Sequence, residues 1–192
     1  MKTILTLIIS LFSCLSIFAQ SAIEYFNVGN PIKYCDTKYS LVWSAHPQEN
    51  YYVQEYLPQG ESLEHYNQML TVSVIFWDRT PLEAVQAKIA ELEQRKKTDP
   101  ITNYMVAENN GEYILEFIVG DSSNGKMNIA EVDVHHYKQM KINGRNASVL
   151  SFYSCRAYGN DIMPFIQSIP EKRNTWYEGM SRLNLNPKFP KK

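Results

Sequence analysis

The chain has 192 residues, of which 44% are hydrophobic, 20% charged and 12% aromatic. That composition describes an ordinary folded domain and excludes disordered, collagen-like and repeat-built chains. Nineteen Lys and Arg against twenty Asp and Glu give a formal net charge of -1, so no global field argues for nucleic acid or an anionic membrane as partner.

Lys2 precedes an apolar run from Ile4 to Phe18 that Ala19 closes. The run is shorter than the roughly 20 residues a membrane-spanning helix needs and reads as a signal peptide over residues 1–19, cut after Ala19. A second reading takes Leu11-Phe12-Ser13-Cys14 as a lipoprotein box with Cys14 lipidated. The bulky Phe12 and the apolar residues that follow Cys14 weaken it. Residues 20–192 are then one domain in the periplasm or outside the cell, with no integral membrane segment. In such an oxidising compartment, Cys35 and Cys155 are expected to form a disulfide. A loop of that length stabilises by about 4 to 5 kcal/mol in the chain-entropy model. Two buried, unpaired thiols are the alternative.

Residues 20–37 form a loosely patterned arm. Lys38–Ala45 and Tyr51–Leu57, rich in Tyr, Val and Trp, read as a hairpin with a loop at residues 46–50. After Pro58-Gln59-Gly60, Ser62 is placed as the N-cap of a short helix with Leu63, Tyr66, Met69 and Leu70 on one face. Thr71–Trp77 is β-branched and aromatic throughout most of its length and reads as a central strand. Thr80-Pro81-Leu82-Glu83 carries a capping box, with Pro81 at the first helical position. Leu82, Val85, Ile89 and Leu92 continue that helix at helical spacing, and Arg95, Lys96 and Lys97 suit its C-terminal dipole. From Asn103 to Tyr158 the pattern is a meander of four antiparallel strands, with turns at Asn109–Gly111, Asp121–Gly125 and Asn143-Gly144. Asp161–Leu183 reads as a helical turn, a break at Pro170 and a final helix. The expected class is α+β: a mostly antiparallel sheet of about seven strands with helices packed on it.

The ionisable cluster that stands out is Glu131-Val132-Asp133-Val134-His135-His136-Tyr137. On a strand, Glu131, Asp133, His135 and Tyr137 share one face, with about 7 Å between neighbours. Such a face could hold a divalent metal or an acid and base, and Glu131, Asp133 and His135 are the candidate ligands. The simpler reading is a half-exposed strand, with Val132 and Val134 inward and the polar residues in water. His46 and His65 lack a ligand partner at metal-binding spacing, and no Gly-x-Ser-x-Gly elbow or phosphate-cradling glycine motif occurs. No catalytic residue and no cofactor is therefore assigned. The abundant tyrosines can pack a sheet or line a groove, since each supplies area and a polar tip.

Residues 52–72, with Glu55-Tyr56-Leu57-Pro58-Gln59-Gly60-Glu61 followed by Met69-Leu70-Thr71-Val72, resemble a segment of uncharacterised exported bacterial proteins. The element order resembles the PsbP-like α/β/α sandwich of photosystem II extrinsic subunits and a Ran-binding nuclear import factor. The resemblance implies a binding or assembly module without catalysis and carries over no functional residue. The expected function is an exported, non-catalytic module that binds a protein or a small apolar or glycan-like ligand through an aromatic-rich surface. Two alternatives are a periplasmic metal-assisted hydrolase using Glu131, Asp133 and His135, and an immunity protein that neutralises a toxin.

Overall fold

The computed structural model describes residues 22–189. The signal segment 1–19, its cleavage after Ala19 and the alternative lipidation of Cys14 lie outside the described residues. In chain order the elements are β1 (Ile32–Tyr34), β2 (Thr37–Gln48), β3 (Tyr51–Pro58), β4 (Gln68–Ile75), α1 (Pro81–Arg95), β5 (Asn103–Asn109), β6 (Glu112–Ser123), β7 (Lys126–Ile142) and β8 (Arg145–Tyr158). A 3-10 turn at Gly159–Asp161 leads into α2 (Ile162–Arg182).

All eight strands belong to one antiparallel sheet in the order β1-β2-β3-β4-β8-β7-β6-β5. Two four-strand meanders meet where β4 pairs with β8, in register from Gln68 opposite Cys155 to Ile75 opposite Ser148. This overturns the expected helix-packed sandwich. The molecule is a curled, open sheet of eight strands with two helices, so the sheet and not a helical layer dominates it. Register shifts in β2, between Leu41 and Trp43 and between Ala45 and Gln48, increase the local twist of the first meander.

Four hairpins turn on two residues that both have positive φ: Cys35-Asp36, Asn110-Gly111, Asn124-Gly125 and Asn143-Gly144. That is the geometry whose twist matches paired strands. Three of the four use Asn-Gly, which enters left-handed backbone readily. Cys35-Asp36 lacks that signature, which is why β1 is read as an irregular arm in the sequence.

The helix expected at Ser62–Leu70 does not form. Ser62 and His65 close a single turn, and the Glu61 carboxylate accepts from the backbone N–H of Asn67 at 2.8 Å and Gln68 at 2.9 Å. Gln68, Met69 and Leu70 instead extend β4. Four apolar positions gain less from one helical turn than from a full ladder of strand bonds to β3 and β8. The expected break at Pro170 is also absent, because α2 runs through it. Ile162, Phe165 and Ile169 before the proline and Trp176 and Met180 after it bury on the same sheet face, so packing holds both halves in line.

The two helices pack on opposite faces of the second meander. Towards α2 lie Val132, Val134, Val149, Tyr153, Val72 and Val74, in the larger core. Towards α1 lie Leu115, Phe117, Tyr137 and Leu150, packed with Val85 and Leu92. Glu131, Asp133 and His135 alternate with Val132 and Val134, so they lie on the α1 side. They are not in water as the half-exposed reading supposed, because α1 roofs them.

Candidate functional site

The capping box seats α1 over the second meander. Thr80 Oγ1 accepts from the Glu83 N–H at 3.2 Å, and the Thr80 N–H donates to Glu83 Oε2 at 2.7 Å. Its far end is tied to the sheet edge. Arg95 donates to the Gly120 carbonyl at 2.8 Å and to Asp99 at 3.0 Å, and the Gly120 N–H donates to Asp99 at 2.6 Å. The pairing of β5 with β6 stops at Asn103 opposite Ile118, so these two side chains satisfy backbone that β5 leaves bare. Gly120 sits closely against its neighbours: a Cβ would stand 3.1 Å from both the Ile101 and Met127 side chains and 3.2 Å from Asp99 Oδ1, which would have to give by a few tenths of an ångström.

Lys88, Glu91, Leu92 and Arg95 fall at i, i+3, i+4 and i+7, on one face of α1. They line a cleft of about 450 Å³ whose other wall is Phe117 and Val119 of β6 and whose floor is Glu131, Asp133 and His135 of β7. The structure therefore brings together all three sequence candidates, each already committed to a neighbour. The Glu131 carboxylate is paired with Arg156. Asp133, 6% exposed, accepts from Ser154 Oγ at 2.5 Å. His135, 8% exposed, stacks on Phe152 with ring centroids 3.8 Å apart, and its Nδ1 lies 3.2 Å from the Tyr137 hydroxyl.

Burial dominates the electrostatics. Loss of solvent, reinforced by the neighbouring Glu131 charge, pushes the Asp133 carboxyl up to about 8, against the opposing effects of Ser154, Lys88 and Arg156. The same loss of solvent drives His135 well below its ordinary value, with Lys88 adding to the effect. At neutral pH Asp133 and His135 are thus an uncharged carboxylic acid beside an uncharged imidazole, next to the Glu131–Arg156 ion pair. His135 Nε2 stands 3.9 Å from Asp133 Oδ1, too far for a hydrogen bond. Among the described residues no group of three or more His, Cys, Asp or Glu is arranged to hold a metal ion.

Other candidate groups have structural employment. His136 points to the opposite face and bonds Glu112 at 2.8 Å, as alternation on a strand requires. His46 stacks on Tyr52 and His65 on Tyr158. Cys35 and Cys155 are both free thiols, so the expected disulfide is not formed in the structure. Each thiol is raised, chiefly by burial. Tyr34, next to Cys35, packs its ring on Tyr153 at 4.7 Å, filling the space in front of β8. A second cleft of about 540 Å³ lies between the Cys35-Asp36 turn and the end of α2. Its charged residues pair with one another, Lys33 with Asp36 and Arg182 with Glu178, and leave little for a ligand.

Six of the thirteen tyrosines build the core rather than a groove. Tyr34, Tyr39, Tyr56, Tyr66, Tyr137 and Tyr153 are buried. Their hydroxyls find internal partners: Tyr34 donates to the Trp176 carbonyl at 2.8 Å, and Tyr39 and Tyr153 donate to Gln68 at 2.7 and 3.2 Å. Tyr25, Tyr52 and Phe76 form a second aromatic group at the sheet's other end, where Phe189 packs against Tyr52 and Phe76.

A protein-family model matches residues 26–185, a span that contains the whole sheet and both helices. The chain belongs to that family. No curated protein matches it. Among solved structures, LpqN, involved in cell envelope biogenesis of Mycobacterium tuberculosis, is similar over 70% of this chain and 67% of that one, at 15% identity and a TM-score of 0.31. The expected PsbP-like resemblance is not shown by these matches. No helix of the described residues is long and apolar enough to cross a membrane.

Lys88 and Phe117 line the cleft and Ser154 bonds its floor, and none of the three stands out in the sequence. One signal for Lys88 was available: on a helical wheel it falls on the same side as Leu92, so a charge stands within the stripe that packs on the sheet. Ser154 carries no local signal, because only the β7–β8 register puts it opposite Asp133.

Proposed function

We propose that this chain is a non-catalytic binding module acting outside the cytoplasm, and that its ligand seat is the cleft between α1 and the β6–β7 face. The observation that supports this most is the pair Asp133 and His135. Both are more than nine-tenths buried, both are uncharged at neutral pH, and both line a cavity of a size that suits a small ligand. Polar groups so far from bulk water are costly to leave unpaired, and a ligand that pairs them recovers that energy. Catalysis through the same residues is disfavoured by their state. A metal-assisted hydrolase would use Glu131 and Asp133 as free carboxylates, whereas one is bound to Arg156 and the other holds its proton. The aromatic surface is the weaker seat, since six of the thirteen tyrosines are internal.

The test is a backbone amide NMR titration with D-glucose, D-glucuronate, benzyl alcohol and benzoate. Shifts clustered on residues 88–95, 117–119 and 131–135 support the seat. Val119→Trp, which fills the cleft wall while the rest of the spectrum stays dispersed, is expected to abolish them. Shifts confined to other regions, or none with any probe, would overturn it.

A further inference from the structure

Resting on that reading of the cleft, we propose that its ligand carries a single carboxylate, held by Asp133, His135 and Lys88. The argument begins with which polar atoms remain available. Asp133 Oδ1 is engaged by the Ser154 hydroxyl, while its second oxygen has no protein partner and is open to the cleft. His135 uses Nδ1 on the Tyr137 hydroxyl, which leaves Nε2 facing the same space without a hydrogen bond. When the tyrosine donates to Nδ1, Nε2 carries the ring proton and is a donor. The uncharged acid also has a hydroxyl to give. The floor therefore presents two donors from neighbouring same-face residues of β7.

The cations narrow the class. Arg156 is bound to Glu131, and Arg95 to Asp99 and the Gly120 carbonyl. Lys88 remains. Its ammonium sits 5.3 Å from the centre of the Phe117 ring, and its ion pair is with Glu91, whose side chain is 69% exposed. A pair so open to water contributes little, so Lys88 can turn to a ligand at small cost. A cationic ligand would meet Lys88 with like charge. A dianion such as sulfate would place its second charge against Glu91 and Glu131, both of which line the cleft. A monoanion satisfies the donors and the ammonium together, and a carboxylic acid donating to a carboxylate makes one of the stronger hydrogen bonds available. Phe117 and Val119 offer the organic body of such a ligand an apolar wall.

The decisive comparison uses matched pairs at pH 6: benzoate against benzyl alcohol and D-glucuronate against D-glucose, with sulfate as the dianion, each followed by amide shifts. The carboxylate of each pair is expected to bind at least tenfold more tightly than its neutral partner and to outcompete sulfate. Lys88→Met, which keeps an apolar stem against Phe117 and removes the charge, is expected to remove about tenfold of that preference. Asp133→Leu is expected to remove it entirely, and Asp133→Asn, which keeps a donor, to retain part. Neutral partners that shift the cleft amides as strongly as the carboxylates, or a preference that Lys88→Met leaves intact, would overturn the carboxylate assignment while leaving the seat. Silence from every probe would overturn the seat itself.

Discussion

Asp133 ties protonation to folding. In the unfolded chain its carboxyl ionises near the ordinary value of 3.8, whereas beneath α1 it holds its proton to about 8. The folded state therefore binds the extra proton. Its contribution is fully present below pH 4, is lost progressively as pH rises between those two values, and then stays lost. The groups acting on the carboxyl come from three elements: Lys88 on α1, Glu131 on its own strand, and Ser154 and Arg156 on β8. Asp133→Asn keeps the shape and cannot ionise. Urea titrations are expected to show wild type and variant alike at pH 4 and the variant more stable by on the order of a few kcal/mol at pH 8. Equal stabilities at both pH values would mean that the carboxyl is ionised in the folded protein.

At the scale of elements, α2 docks on the β1–β2 turn through a missing side chain. A Cβ at Gly179 would stand 2.6 Å from Cys35 Sγ and 3.0 Å from the Tyr34 ring. Mid-helix Gly→Ala ordinarily stabilises by roughly 1 kcal/mol. Here the methyl must displace a buried tyrosine whose hydroxyl is bonded to the Trp176 carbonyl. Gly179→Ala is therefore expected to destabilise by about 1 to 3 kcal/mol in thermal or urea unfolding. Adding Cys35→Ala, which removes the nearer atom, is expected to recover part of the loss. A Gly179→Ala chain as stable as wild type would show that α2 does not press on the turn.

For the molecule as a whole, the antiparallel pairing of β4 with β8 is the one strand pairing between the two meanders. Each meander alone would expose an edge and half of the α2-side core, so neither is expected to persist without the other. Hydrogen exchange should reflect this. Amides of β4, β7 and β8, paired on both sides, are expected to exchange only through global unfolding. Those of the edge strands β1 and β5 should exchange through small local openings. Exchange in which β1–β4 opened as a block while β5–β8 stayed protected would show two independent units instead.

Local chemistry determined much of this protein directly. The capping box at Thr80–Glu83 set the start of α1, and three Asn-Gly turns, fixed by the need for positive φ, set the strands that flank them. The alternation of Glu131, Asp133 and His135 on one strand face also followed from the two-residue period alone. Decisions that depend on distant partners were not legible. The Ser62–Leu70 segment became loop and strand because β3 and β8 offered it a ladder, and Pro170 stayed inside a helix because one sheet face holds both its sides. The polar face of β7 turned from solvated surface to buried floor for the same reason. A strand records which residues share a face, but whether water or a helix covers that face is settled only when α1, anchored at Arg95 and Asp99 to an edge carbonyl and N–H of β6, folds back over it.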